Sequence, residues 1–290
     1  MLCKRPYMMG SMECPCGACL PCRINRRRLW AHRILLESYK HPHSCFVTLT
    51  YNQEHVPSSL DKSHYQNWLK RLRKVLYPQQ IRYFIAGEYG EISGRPHYHA
   101  AIFGLDRVTA GGDDGRGGVV RATWPYGHTF VGDLTWESAS YIAGYLTKKV
   151  KVDEKSHREF SRMSLRPGIG AGAMADVARA LSTEAGLDSI VLNHDVPTVL
   201  KHGKRVLPIG RYLRRKLRGE LGFASEDTPE EAARMYALRQ AAEKVEERDL
   251  LSKQGHKSWD VEKIILDRRK QKIKNIESRF HIRDSARGLK

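Results

Sequence analysis

Two runs, IRYFIAGEYG (81–90) and PHYHAAIFG (96–104), are rich in β-branched and aromatic residues. The GEISGRP between them carries the glycine and proline punctuation of a turn. This antiparallel hairpin constrains the chain more than any other feature, because its neighbours must supply the rest of a sheet. CFVTLTY (45–51) and GHTFVGDLT (127–135) read as two more strands. DKSHYQNWLKRLRKVL (61–76) reads as a helix, with Tyr65, Trp68, Leu69, Leu72, Val75 and Leu76 on one face. WESASYIAGYLTKKV (136–150) reads as a second. Strand–helix–strand–strand–loop–strand–helix predicts an α+β fold, a mainly antiparallel sheet flanked by helices.

Around this core, 44–150, the sequence predicts three further segments. Residues 1–43 hold a cysteine cluster followed by RINRRRLWAHRILLESYK, whose Ile24, Trp30, Ile34 and Leu35 suit an amphipathic helix. Residues 151–225 form an extension, Gly- and Ala-rich over 168–186, with the basic element GRYLRRKLR at 210–218. Residues 226–290 form a charged helical arm of two stretches, either solvated or facing a polyanion. Within the core, TAGGDDGRGG (109–118) reads as a mobile insertion.

Charge narrows the partners. Fifty Lys and Arg against 32 Asp and Glu leave a net charge of +18, clustered in RINRRR (23–28) and RRKQKIK (268–274). Such clusters favour nucleic acid, whose condensed counterions are released when phosphates are neutralised. No apolar run approaches the roughly 20 residues needed to span a bilayer, and the N-terminal residues lack a signal-peptide core, so a soluble intracellular protein without a membrane partner is expected. Six cysteines are too few and too unevenly placed for a disulfide scaffold. Cys14, Cys16, Cys19 and Cys22 fall within nine residues, in C-x-C-x₂-C-x₂-C spacing. Structural zinc is one reading, with Cys3 or a histidine able to supplement the group; reduced free thiols are the other. His41 and His43 read as loop residues.

His97 and His99 are i and i+2 on a strand, so both imidazoles face one side of the sheet while Tyr98 faces the other. Glu88, on the preceding hairpin strand, supplies a carboxylate across from them. Together they make a mixed oxygen–nitrogen set suited to Mg²⁺ or Mn²⁺. Glu91 is the rival carboxylate but sits in the turn. Tyr141 and Tyr145, i and i+4 on a helix, share a face that Lys148 and Lys149 continue. Taken alone they read as a core aromatic stripe. Beside a metal site and two lysines they read as nucleophiles whose phenols, of pKa about 10, need a cation to ionise.

With these residues in view, the chain resembles the HUH endonucleases, which carry a histidine–hydrophobe–histidine motif and a tyrosine helix. Within them it is similar to the replication initiation proteins of the microviruses, especially the gokushovirus branch. The resemblance rests on CGACLPCRINRR (16–27), FVTLTY (46–51), GEYGEISGRPHYHAAIFG (87–104), WPYG (124–127), YIAGYLTKK (141–149) and SLRPGIG (164–170). It implies an HUH core of RRM or ferredoxin-like type with a helical C-terminal extension. It implies metal ligands at His97, His99 and Glu88, nucleophiles at Tyr141 and Tyr145, and a 5′-phosphotyrosine intermediate in rolling-circle nicking and rejoining of single-stranded origin DNA. The implied location is the cytoplasm of an infected bacterium, with the host's replication helicase and polymerase as partners. A helicase is needed because the chain carries no G-x-x-x-x-G-K-[ST]. A plasmid relaxase or transposase of the same catalytic type, and a non-catalytic single-strand-binding module on the same sheet, are the alternatives. The chain departs from the family pattern at Tyr98, bulky for the hydrophobe position, and at Gly144, where a larger or basic residue is expected.

Overall fold

Alternation along the two central strands builds the sheet as the sequence predicts. The computed structural model describes residues 2–10, 12–90, 93–111, 117–145, 157–193, 195–223 and 229–288. In chain order the elements are β1 (Tyr7–Met9), β2 (Met12–Cys14), α1 (Leu20–Ser38), β3 (Ser44–Thr50), α2 (Lys62–Leu76), β4 (Arg82–Tyr89) and β5 (Pro96–Phe103). There follow α3 (Arg107–Gly111), α4 (Gly118–Thr123), β6 (Thr129–Asp133), α5 (Trp136–Gly144), β7 (Phe160–Met163), α6 (Ala173–Leu181) and α7 (Glu184–Asn193). β8 (Val199–His202), β9 (Arg205–Pro208), α8 (Gly210–Glu220), α9 (Pro229–Lys253) and α10 (Ser258–Gly288) complete the chain. Two compact units result: Met1–Asn25 with Ser225–Lys290, and Arg26–Ala224.

The larger unit is organised by one antiparallel sheet of order β6-β3-β5-β4-β7. Its two faces are set by residue parity. One parity, Val47, Leu49, Ile85, Tyr98, Ala100 and Ile102, packs against Tyr65, Trp68, Leu69 and Leu72 of α2. The other, Phe46, Phe84, Ala86, Ala101 and Phe103, packs against Ala31 and Ile34 of α1 and Ala139, Ile142 and Ala143 of α5. Asp61 caps α2 by accepting from the Ser63 backbone N–H at 2.8 Å. Thr135 and Ser138 close a reciprocal capping box on α5. Both helices therefore start where their caps dictate.

Two of the resembling motifs act as fasteners. Gly127 of WPYG lies flat on the end of β3, where a Cβ would stand 2.3 Å from the Asn52 nitrogen. The Trp124 indole N–H donates to the Thr50 carbonyl at 2.9 Å beside it. In SLRPGIG, the Pro167 carbonyl accepts from Arg82 at 2.5 Å and the Ile169 carbonyl from Arg33 at 2.9 Å. Buried Glu37 of α1 joins them, pairing with Arg82 and accepting from the Gly170 N–H at 2.6 Å.

Several local readings change. Val75, placed by periodicity on the buried face of α2, is exposed, because it falls at the rim of the stripe formed by Trp68, Leu72 and Leu76. The 109–118 insertion is partly helical, with α3 and α4 burying Ala110 and Val120 in the sheet's core; residues 112–116 lie outside the described set. β7 has no counterpart in the sequence reading, since FSRM is too short and polar to carry a strand pattern; pairing with β4 makes it one.

In the smaller unit, β1 and β2 form a hairpin with Gly10 at φ 61° in the turn. Glu13 of β2 pairs with Arg269 of α10 at 2.6 Å, and its backbone exchanges hydrogen bonds with Gln240 of α9. Among the described residues no helix is long and apolar enough to cross a membrane.

Candidate active site

Sheet register assembles the site. β5 pairs with β4 so that His97 stands opposite Glu88 and His99 opposite Ala86, and with β3 so that His99 stands opposite Thr48. Same-parity residues of three strands thus share one face. Glu88 is 3% exposed. Its Oε1 lies 2.5 Å from His97 Nε2 and 2.9 Å from His99 Nε2. Burial raises the Glu88 pKa, but hydrogen bonds and charge from both imidazoles outweigh it and hold the carboxyl at about 2.

The outer ring nitrogens are oriented too. His97 Nδ1–H donates to the Arg95 carbonyl at 3.1 Å, since a carbonyl only accepts. The Thr48 hydroxyl bonds His99 Nδ1 at 2.9 Å. For neutral His97 this leaves an Nε2 lone pair facing a carboxylate oxygen, so a proton or a cation must sit between them. Glu88, His97 and His99 each offer an atom within 4.8 Å of the others. One carboxylate and two imidazoles with fixed outer partners suit a divalent cation such as Mg²⁺ or Mn²⁺. The rival Glu91 lies outside the described residues.

α5 lays both tyrosines over this face. The Tyr145 ring stacks on His99, centroids 5.2 Å apart and planes 8° from parallel. Tyr141 meets His99 edge-on at 5.0 Å and Tyr145 at 5.0 Å. The two differ in access: Tyr145 is 8% exposed and Tyr141 44%. Burial, then the hydrogen bond from Tyr141 and the charge of Glu88, push the Tyr145 phenol far up. Lys148 and Lys149, which the sequence places one turn on, lie outside the described residues.

The family model for Replication-associated protein ORF2 matches residues 44–150, the stretch that holds β3 to β6 and both tyrosines. The replication-associated protein ORF2 of Spiroplasma virus 4 is 28% identical over 286 residues, covering 92% of this chain and 84% of that protein. The chain is related to the replication-associated proteins of microviruses. Another such relative, VP4 of Bdellovibrio phage phiMH2K, is 34% identical over 158 residues, covering 49% of this chain and 50% of its own. ORF4 of Chlamydia phage 1 is 29% identical over 170 residues, 52% of this chain and 43% of its own. The chain thus spans half or less of those last two replication proteins. No solved structure matches it.

Both departures from the family pattern find a physical place. Tyr98 is fully buried on the opposite face, its hydroxyl donating to the Asp61 carbonyl at 2.7 Å and bonding the Tyr51 hydroxyl at 2.9 Å. Beside Gly144, the Arg27 guanidinium carbon lies 3.7 Å from where a Cβ would stand, and Arg27 Nε donates to the Ser140 carbonyl at 2.8 Å. A basic group from α1 thus occupies the position where the helix lacks one.

Sequence reasoning missed three neighbours of the site. Thr48 is found only through the β3–β5 register. Arg27 is one member of a basic run with nothing to single it out. Phe130, 57% exposed on β6 opposite Thr48, edges Phe46, which in turn stacks on His99 and edges Tyr141. Its only signal is a lone aromatic in a strand. The cysteines behave differently from expectation: Cys16, Cys19 and Cys22 converge with Cys3, while Cys14 is committed to β2 opposite Tyr7 and stands outside the group.

Proposed function

We propose that this chain is a rolling-circle replication initiator, a metal-dependent endonuclease and ligase of HUH type acting on single-stranded origin DNA. One observation carries the reading: Glu88, His97 and His99 converge on the sheet face over which α5 lays Tyr141 and Tyr145. The net charge of +18 and the similarity to phage replication proteins support a DNA substrate.

Glu88, His97 and His99 would hold Mg²⁺ or Mn²⁺, which when bound polarises a phosphodiester and offsets the charge that develops on it. Tyr141 is the first nucleophile, because its hydroxyl-bearing ring is the exposed one beside His99. Its oxygen bonds to phosphorus as the phosphorus–O3′ bond breaks, and the phenolic proton ends on the released 3′-OH. The 5′ end stays on the protein as a phosphotyrosine, so bond energy is kept for rejoining without ATP. Tyr145 serves the second transfer, reached once the first tyrosine is occupied and α5 yields its packing on His99. Arg27, beside Gly144, supplies positive charge for the strand at the end of α5. Phe130 offers an exposed ring on which a flanking base can stack. The freed 3′-OH is the substrate of a host polymerase, and unwinding falls to a host helicase.

The test is incubation of the full chain with circular single-stranded phage DNA and Mn²⁺, followed by denaturing electrophoresis and peptide mapping. A covalent adduct on Tyr141 or Tyr145 is expected. Binding without adduct or nick, at any divalent metal tried, leaves a single-strand-binding module and removes the enzyme.

A further inference from the structure

We propose that Cys3, Cys16, Cys19 and Cys22 form a closed tetrathiolate zinc site, with Cys14 excluded, that holds the N-terminal residues to the start of α1. The site goes beyond the nicking reading and does not depend on it.

Topology decides the ligand set. β1 and β2 pair with Tyr7 opposite Cys14, so the chain doubles back and the residues before Tyr7 run beside those after Cys14. Cys3 and Cys16, which flank the hairpin, thereby meet. Cys19 and Cys22 follow at intervals of three, and the first turn of α1 brings them to the same point. The four sulfurs all lie within 4.8 Å of one another, with Cys3 and Cys19 at 3.9 Å. Tetrahedral zinc with Zn–S of about 2.3 Å requires neighbouring sulfurs about 3.8 Å apart. All are free thiols in the structure, so this spacing is not that of a disulfide.

Three backbone N–H groups already point at the sulfurs. Cys16 donates to Cys3 Sγ at 3.3 Å, Lys4 to Cys19 Sγ at 3.4 Å and Cys19 to Cys16 Sγ at 3.4 Å. Such bonds neutralise part of the charge on thiolates and orient their lone pairs inward. Packing gives the second argument. Cys3, Cys19 and Cys22 are buried, yet among the described residues their cluster contains only Cys16 besides themselves. A corner with no aliphatic core gains little from the hydrophobic effect, and a small element of this kind is held by a metal or by disulfides. Four sulfurs and no nitrogen or oxygen ligand select zinc over Mg²⁺ or Mn²⁺.

The experiment uses the full chain, purified under reducing conditions without chelator, in a His97→Ala/His99→Ala background so that the other candidate site contributes no zinc. Elemental analysis should give about one zinc per chain. Cys3→Ser and Cys19→Ser should lose it, and Cys14→Ser should keep it. Cobalt exchanged into the parent chain should give the charge-transfer and d–d bands of four thiolates, which reads the ligand set even if Cys3→Ser does not fold. Zinc-free protein, disulfides among these cysteines, loss of zinc in Cys14→Ser, or a three-thiolate cobalt spectrum would each overturn the proposal. None of these readouts involves nicking, so failure here leaves the nuclease reading untouched, and the reverse.

Discussion

The sheet-face site and the cysteine corner are both candidate metal centres, built by opposite means. Glu88, His97 and His99 are fixed by strand register in the interior of a five-stranded sheet, with aromatic rings packed around them. The four cysteines sit at a hairpin end where the sulfurs themselves are the buried material. The first site exists because the fold is already rigid there, and it leaves room for a substrate oxygen beside two imidazoles and a carboxylate. The second uses all its ligands on the ion and leaves no open position. A sheet can present a reactive cation; a loop needs a cation to be a structure at all.

The largest effect should come from separating the two by chemistry. His97→Ala or His99→Ala should lower nicking by about 10³-fold or more, equivalent to several kcal/mol of transition-state stabilisation, while single-strand binding persists. EDTA should abolish nicking and added Mn²⁺ restore it, with any zinc at the cysteines retained throughout. Near-normal nicking in the double histidine variant would remove the distinction, leaving the sheet face as a buried polar cluster.

The tyrosines come next. Tyr141→Phe should lose most first-step adduct, and Tyr145→Phe should still cleave once but fail to turn over repeatedly. The double Phe variant should form none. Mapping of the adduct to Tyr145 in the native chain would reverse the order argued from exposure. Smaller still, Thr48→Val should cost about 10–100-fold in metal affinity or activity, since the hydroxyl orients His99 without touching substrate. Metal titration of nicking reads it, and an unchanged curve would show that packing alone sets the ring. Last, Phe130→Ala should weaken single-strand binding by roughly 1–3 kcal/mol and spare the rate at saturating DNA. A fall in saturated rate with affinity intact would instead make Phe130 a support for Phe46 and the tyrosine helix.

The sequence by itself determined what short-range periodicity can express. Alternation of two put His97 and His99 on one face and Tyr98 on the other, and the hairpin punctuation placed Glu88 near them. The i, i+4 spacing put Tyr141 and Tyr145 together, and caps fixed where α2 and α5 begin. What it left undecided were distances across the chain. Register chose Glu88 as the partner of both histidines and brought in Thr48 from β3. Packing of α5 on the sheet made one tyrosine buried and the other exposed, a difference invisible in YIAGY. Arg27 reached Gly144 across 117 positions, counting from 27 to 144. The hairpin carried Cys3 to the cluster that spacing had assigned to Cys14. Local pattern specifies which way a side chain points because backbone geometry repeats; it cannot specify what lies opposite, because that depends on how strands register and helices dock after the chain has closed on itself.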